Sequence, residues 1–127
     1  MVIQQVKIKE SAENYLETII MLGQGGKPVR AVDIAHELDF AKPSVSVAMK
    51  NLRESGHIVV DGEGHITLTE SGRKVAQSMY DRHMLISEWL VSLGVARDIA
   101  VGDACKMEHA MSEESFAAIK RHIRAGS

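Results

Sequence analysis

Cys105, Glu108 and His109 fall at i, i+3 and i+4 in the segment GDACKMEHAM, a spacing that puts a thiol, a carboxylate and an imidazole on one face of a helix. Each offers a lone pair to a borderline cation, so together they make half of a transition-metal site. His83 is a further candidate. Val75, Met79, His83, Ile86, Leu90 and Leu93 recur at steps of three and four, which sets this imidazole on the apolar stripe of a long helix. A histidine so placed also serves as a hydrogen-bonded core residue. Nearer the amino end, Asn14 and Glu17 share a helix face, whose plain reading is a solvated surface and whose sharper one makes Glu17 a further donor. The donors have no obvious general base beside them, and no Gly-rich anion loop or nucleophile motif accompanies them. That argues against an enzyme and leaves a metallohydrolase as the weaker alternative.

The elements that must carry these residues follow from periodicity and punctuation. Ser11 is the expected N-cap of a first helix with Ala12, Leu16, Ile19 and Ile20 on one face, ended by Gly23, Gly25 and Gly26. VRAVDIAHEL spaces Ala31, Ile34, Ala35 and Leu38 for a second helix, and a break at Asp39 and Phe40 leads into AKPSVSVAMKNLRESG, with Pro43 in the first turn and Gly56 past the end. In this third helix Val45, Ala48, Met49 and Leu52 face inward. The outward face carries Ser46, Val47, Lys50 and Asn51, with Lys42 and Ser44 near its start, and Ala41 to Arg53 contains no acid. Such a face suits a DNA major groove, with lysines for phosphates and short side chains for base edges, although an ordinary solvated helix has the same composition. The β-rich runs His57 to Val60 and His65 to Thr69, separated by Asp61, Gly62, Glu63 and Gly64, then read as a hairpin. Arg73 and Lys74, just beyond it, are candidate phosphate contacts, with plain surface solvation an equal alternative. Thr69 caps the long helix that bears His83, and Ser112 caps a last helix with Phe116, Ile119 and Ile123 on its apolar side.

The fold class expected is therefore mainly α with a small β-hairpin: a winged helix-turn-helix DNA-binding domain over 1–72 and a helical metal-binding and dimerisation domain over 73–127. The 127 residues, 45% hydrophobic, suffice for one compact head with an appended helical region rather than two large domains. A net charge of -2 excludes a nonspecific nucleic-acid condenser, so DNA affinity must come from a local patch. The lone Cys105 cannot form an internal disulfide, and no run is apolar enough for a bilayer span or signal segment. A cytoplasmic protein with no membrane partner is expected.

The words SAENYLETI, VRAVDIAHEL, KPSVSVAMKNLRESG, the hairpin ending in LTESG, and DACKMEHAMSEE together resemble the diphtheria-toxin-repressor family of iron- and manganese-dependent regulators, over nearly the whole chain. The resemblance implies a homodimer that represses transcription by binding double-stranded operator DNA when loaded with Fe(II) or Mn(II), with Co(II), Ni(II) or Zn(II) able to substitute in vitro. It implies Glu17, His83, Cys105, Glu108 and His109 as metal ligands, joined by Asn14. The DNA contacts expected, from the outward face and amino end of the third helix, are Lys42, Pro43, Ser44, Ser46, Val47 and Lys50. Cys105 resembles the iron branch, where the manganese branch has glutamate. The chain instead ends after the dimerisation helices, without the iron branch's SH3-like domain, and so resembles the manganese branch in architecture. Asn14 stands where the iron branch has methionine and the manganese branch aspartate. The iron branch's ancillary site retains only His83, with Ser87 and Val101 at the matching places. Glu17, the Cys105 thiolate and Glu108 supply three negative charges, which favours one bound dication over two. Metal binding is then expected to fix the DNA-binding heads at an operator-compatible spacing. The alternative is a metal-independent winged-helix regulator that senses a small organic ligand, with the histidines structural.

Overall fold

The structure, a computed structural model, describes residues 2–126, with side chains from Glu10 onward. The chain divides in sequence between Ser78 and Met79 into two compact units.

In the first unit α1 (Val2–Leu22) is already helical at Val2, so Ser11 lies in mid-helix rather than at the N-cap expected for it. The stretch before Ser11 contains neither glycine nor proline, and a capping residue cannot start a helix where nothing stops the preceding turns from continuing. Leu16 and Ile19 are buried, Ala12 and Ile20 partly so, and a 3-10 turn at Gln24–Gly26 follows. α2 (Ala31–Leu38) opens with the Arg30 N–H donating to Asp33 Oδ2 at 2.9 Å. It closes where Asp39 turns left-handed (φ 56°) and the Phe40 N–H reaches the Ala35 carbonyl at 3.0 Å. α3 (Lys42–Glu54) begins after extended Ala41, with Pro43 where no helical N–H is missed. The expected inward faces meet in one core: Ile34 and Ala35 of α2, Val45, Met49 and Leu52 of α3, and Leu16 and Ile19 of α1, each large side chain contributing about 1.5–3 kcal/mol on full burial.

The hairpin is β1 (Ile58–Val60) antiparallel to β2 (Ile66–Leu68), with Ile58 opposite Leu68 and Val60 opposite Ile66. It is shorter than the β-rich runs because their ends are spent on other bonds. The His57 N–H turns away to the Leu52 carbonyl at 2.9 Å, which leaves the Thr69 N–H to His57 carbonyl bond at 3.0 Å as a single in-register rung, and the Thr69 hydroxyl donates to the Gly56 carbonyl at 2.7 Å. At the tip Asp61 Oδ1 accepts the N–H groups of Glu63 and His65, both at 2.9 Å. Just after the turn the Ile66 N–H donates to the Val29 carbonyl at 2.7 Å, tying the start of β2 to the segment between α1 and α2. α4 (Glu70–Ser92) starts at the expected cap, since Thr69 Oγ1 accepts the Gly72 N–H at 3.2 Å.

The second unit holds the remainder of α4, α5 (Arg97–Ala110) and α6 (Glu113–Ala125). α4 stops at Ser92, where Gly94 takes φ 101° and lets the Val95 N–H reach back to the Leu90 carbonyl at 3.0 Å. Leu93, read as the last member of the apolar stripe, therefore lies outside the helix and is 64% exposed. On α5 the buried positions Ala100, Ala104 and Glu108 recur every four residues, so one face runs from two methyl groups to a carboxylate. Ser112 caps α6 as expected, accepting the Ser115 N–H at 3.1 Å. Among the described residues no helix is long and apolar enough to cross a membrane.

Candidate metal centre and DNA-contact face

Glu108 is the centre of the arrangement in the second unit. Its side chain is fully buried, and each carboxylate oxygen faces a different imidazole: Oε2 lies 3.1 Å from His83 Nδ1, and Oε1 lies 3.3 Å from His109 Nε2. A buried carboxylate is retained only where it is paired or bound, because desolvating an isolated one is prohibitive. α4 supplies His83, whose side chain is 15% exposed, and the last turn of α5 supplies the other two residues. Cys105, one turn earlier on α5, is exposed. One donor atom each from Cys105, Glu108 and His109 lies within 4.8 Å of the others.

The donor set fits a transition ion. Metal–donor bonds of about 2.0–2.3 Å put donors that share an ion within roughly twice that distance of one another, and the separations of up to 4.8 Å among Cys105, Glu108 and His109 are close to that limit. Thiolate, imidazole and carboxylate together suit iron, cobalt or zinc in borderline softness. In the first unit, Glu17 on α1 is buried (4% exposed) and Asn14 is half-buried, so neither is the solvated surface their spacing allowed. The Asn14 carbonyl accepts the Thr18 hydroxyl at 2.8 Å, which leaves its side-chain amide out of that bond.

Arg82 is a residue that sequence reasoning passed over. It is buried, and its Nη1 donates to the carbonyls of Glu108 at 3.0 Å and Met111 at 2.8 Å. The sequence signal was a charge next to His83 that falls at helical spacing between Met79 and Ile86 of the apolar stripe.

On α3, Lys42, Pro43, Ser44, Ser46 and Lys50 are all exposed, and Val47 is 60% exposed. A single exposed valine is ordinary on a protein surface; what marks this face is that small and basic side chains surround it with no acid between Ala41 and Arg53. Arg73 and Lys74 are exposed as well, with Lys74 3.9 Å from Glu70. The wing tip is acidic. Asp61 sits below the usual carboxylate range, chiefly because it accepts the His65 backbone N–H and also that of Glu63.

Helix-turn-helix, hairpin and a helical unit built around a His–Glu–His cluster with a thiol alongside define a class, the winged-helix regulators that answer to a metal ion. Comparison with known proteins narrows it. A family profile described as the iron dependent repressor N-terminal DNA binding domain matches residues 7–66, and one described as the iron dependent repressor metal binding and dimerisation domain matches 69–125. The chain belongs to the iron-dependent repressor family, whose members are metal-dependent transcriptional repressors. It is 33% identical over 118 residues to the transcriptional regulator MntR of Escherichia coli, covering 93% of this chain and 76% of that one. It is 36% identical over 110 residues to the iron-dependent repressor IdeR of Mycobacterium tuberculosis, covering 85% and 47%. A solved structure of a manganese-dependent transcriptional repressor in complex with manganese aligns at a TM-score of 0.80 and 30% identity, over 87% of this chain and 51% of that one. The chain thus spans about half the length of IdeR and of that repressor structure.

Proposed function

We propose that this protein is a cytoplasmic, homodimeric repressor that binds double-stranded operator DNA when a divalent transition ion, Fe(II) or Mn(II), occupies a site formed by His83, Cys105, Glu108 and His109 with Glu17 and Asn14. The observation that carries the reading is the buried Glu108 carboxylate set between two imidazoles with a thiol one turn away. The parts for Glu17 and Asn14 rest on the match of SAENYLETI. The ion, when bound, supplies a fixed centre of positive charge. The chain's own residues present the donors, and Glu108 and His109 are held in place by burial. Residues 1–72 serve DNA binding and residues 73–127 serve metal binding and dimerisation. Met84, Leu93, Ile99 and Val101, large apolar side chains exposed on the second unit, support a self-association surface.

On the DNA side, Lys42 and Lys50 meet phosphates, Ser44 and Ser46 approach base edges, Pro43 sets the entry of α3, and Val47 meets a thymine methyl. The DNA and the ion then tighten each other's binding by the same factor. The deciding experiment is an anaerobic titration of Fe(II), Mn(II), Co(II) and Zn(II) against operator binding, for wild type and His109→Ala. Metal-dependent binding lost in His109→Ala is expected. Equal, metal-independent DNA affinity in both proteins refutes the reading and favours a metal-independent regulator.

A further inference from the structure

We infer that Arg82 is a positioning residue of the metal centre, fixing the ligand-bearing end of α5 to the part of α4 that carries His83. The inference rests on the metal-site reading above. Arg82 is 4% exposed and stands next to His83 in sequence. Its Nη1 holds the main-chain carbonyl of Glu108, itself a candidate ligand, and that of Met111 just past the helix end. Carbonyls in the last turn have no later helical N–H to bond, and they concentrate the negative end of the helix dipole, so a cation is the favoured partner there. The guanidinium also lies over the Phe116 ring of α6, 5.0 Å from its centroid. One side chain therefore joins α4, the end of α5 and α6.

The geometry calls for arginine in particular. A flat guanidinium can lie over a ring while its N–H groups point outward in the ring plane, whereas a lysine ammonium is a compact point charge on a flexible stem. Residues that orient ligands without touching the ion typically account for about 10–100-fold in metal affinity. Apo stability would fall for any buried arginine, but metal affinity and ligand-field geometry move only if Arg82 sets the positions of the donors.

The test uses the full chain as wild type, Arg82→Leu, Arg82→Lys and, as a control, Arg97→Leu, which removes an exposed arginine of α5. Co(II) is titrated anaerobically below the melting temperature, reading thiolate-to-cobalt and d–d absorption. Arg82→Leu is expected to bind Co(II) about 10–100-fold more weakly with displaced d–d bands, Arg82→Lys to lie between, and Arg97→Leu to match wild type. Wild-type affinity and spectrum in Arg82→Leu, or in Arg82→Lys should the leucine variant fail to fold, overturn the inference. A wild type with no cobalt–thiolate bands overturns the metal-site reading and this inference together, a distinguishable result.

Discussion

Glu108→Gln changes charge at nearly constant shape, at a carboxylate that faces both His83 and His109. Without metal the effect is small. The amide still offers partners to the two imidazoles, and burying it costs less than burying a carboxylate, so apo stability should stay within about 1 kcal/mol of wild type. With metal the two proteins separate. At a free ion concentration 100 times the dissociation constant, binding stabilises wild type by about 2.7 kcal/mol. For a chain of this length that raises Tm by about 8–14 °C, at roughly 3–5 °C per kcal/mol. Loss of a charged ligand that costs about 100-fold in affinity brings the same concentration down to the dissociation constant, leaving about 0.4 kcal/mol and a rise of about 1–2 °C. Circular-dichroism melts of both proteins with and without Co(II) measure the four temperatures. A Glu108→Gln protein that keeps the full cobalt-induced rise would show that the carboxylate does not hold the ion.

Gly72→Ala should cost about 1–3 kcal/mol of stability despite alanine's better helix propensity, because a Cβ there collides with the His57 carbonyl oxygen, a main-chain atom already bonded to the Thr69 N–H; chemical denaturation reads the loss. Arg97 holds Glu88 below the usual carboxylate range, first through its hydrogen bonds and then through its charge. A lowered folded-state pKa means this pair supports the fold above the ordinary carboxylate value and ceases to do so as pH falls through the lowered one; Arg97→Ala should move the Glu88 carboxyl titration upward by NMR. Lys50→Ala should weaken binding to any duplex and reduce the slope of log affinity against log salt by about 0.9, the signature of one lost phosphate contact.

The helix-turn-helix was legible because its signals are local. Ala31, Ile34, Ala35 and Leu38 repeat at helical spacing, and Pro43 and Gly56 mark boundaries through backbone geometry alone. The same holds for Cys105, Glu108 and His109, whose shared face follows from helical spacing alone. What spacing could not supply was environment. The burial of Glu17 is tertiary, and nothing in the Asn14–Glu17 pair separates a buried face from a wet one. The start of α1 was missed because Ser11 satisfies a capping rule that acts only where a helix begins. Leu93 kept the period of α4 one residue too far because Gly94, which ends the helix, outweighs a hydrophobic pattern. Arg82 escaped notice because its partners are carbonyls 26 and 29 residues away, which no sequence motif encodes.

The bond from the Ile66 amide to the Val29 carbonyl also sets what can be moved between proteins. A chimera that exchanges the hairpin alone would break a 2.7 Å bond and must rebuild it against a foreign neighbour. Because Leu16 and Ile19 of α1 and Ala76 of α4 share the core with α2, α3 and the hairpin, the smallest transplantable cassette is the whole first unit through Ser78, and hybrids cut between α3 and β1 should unfold less cooperatively than hybrids cut after Ser78.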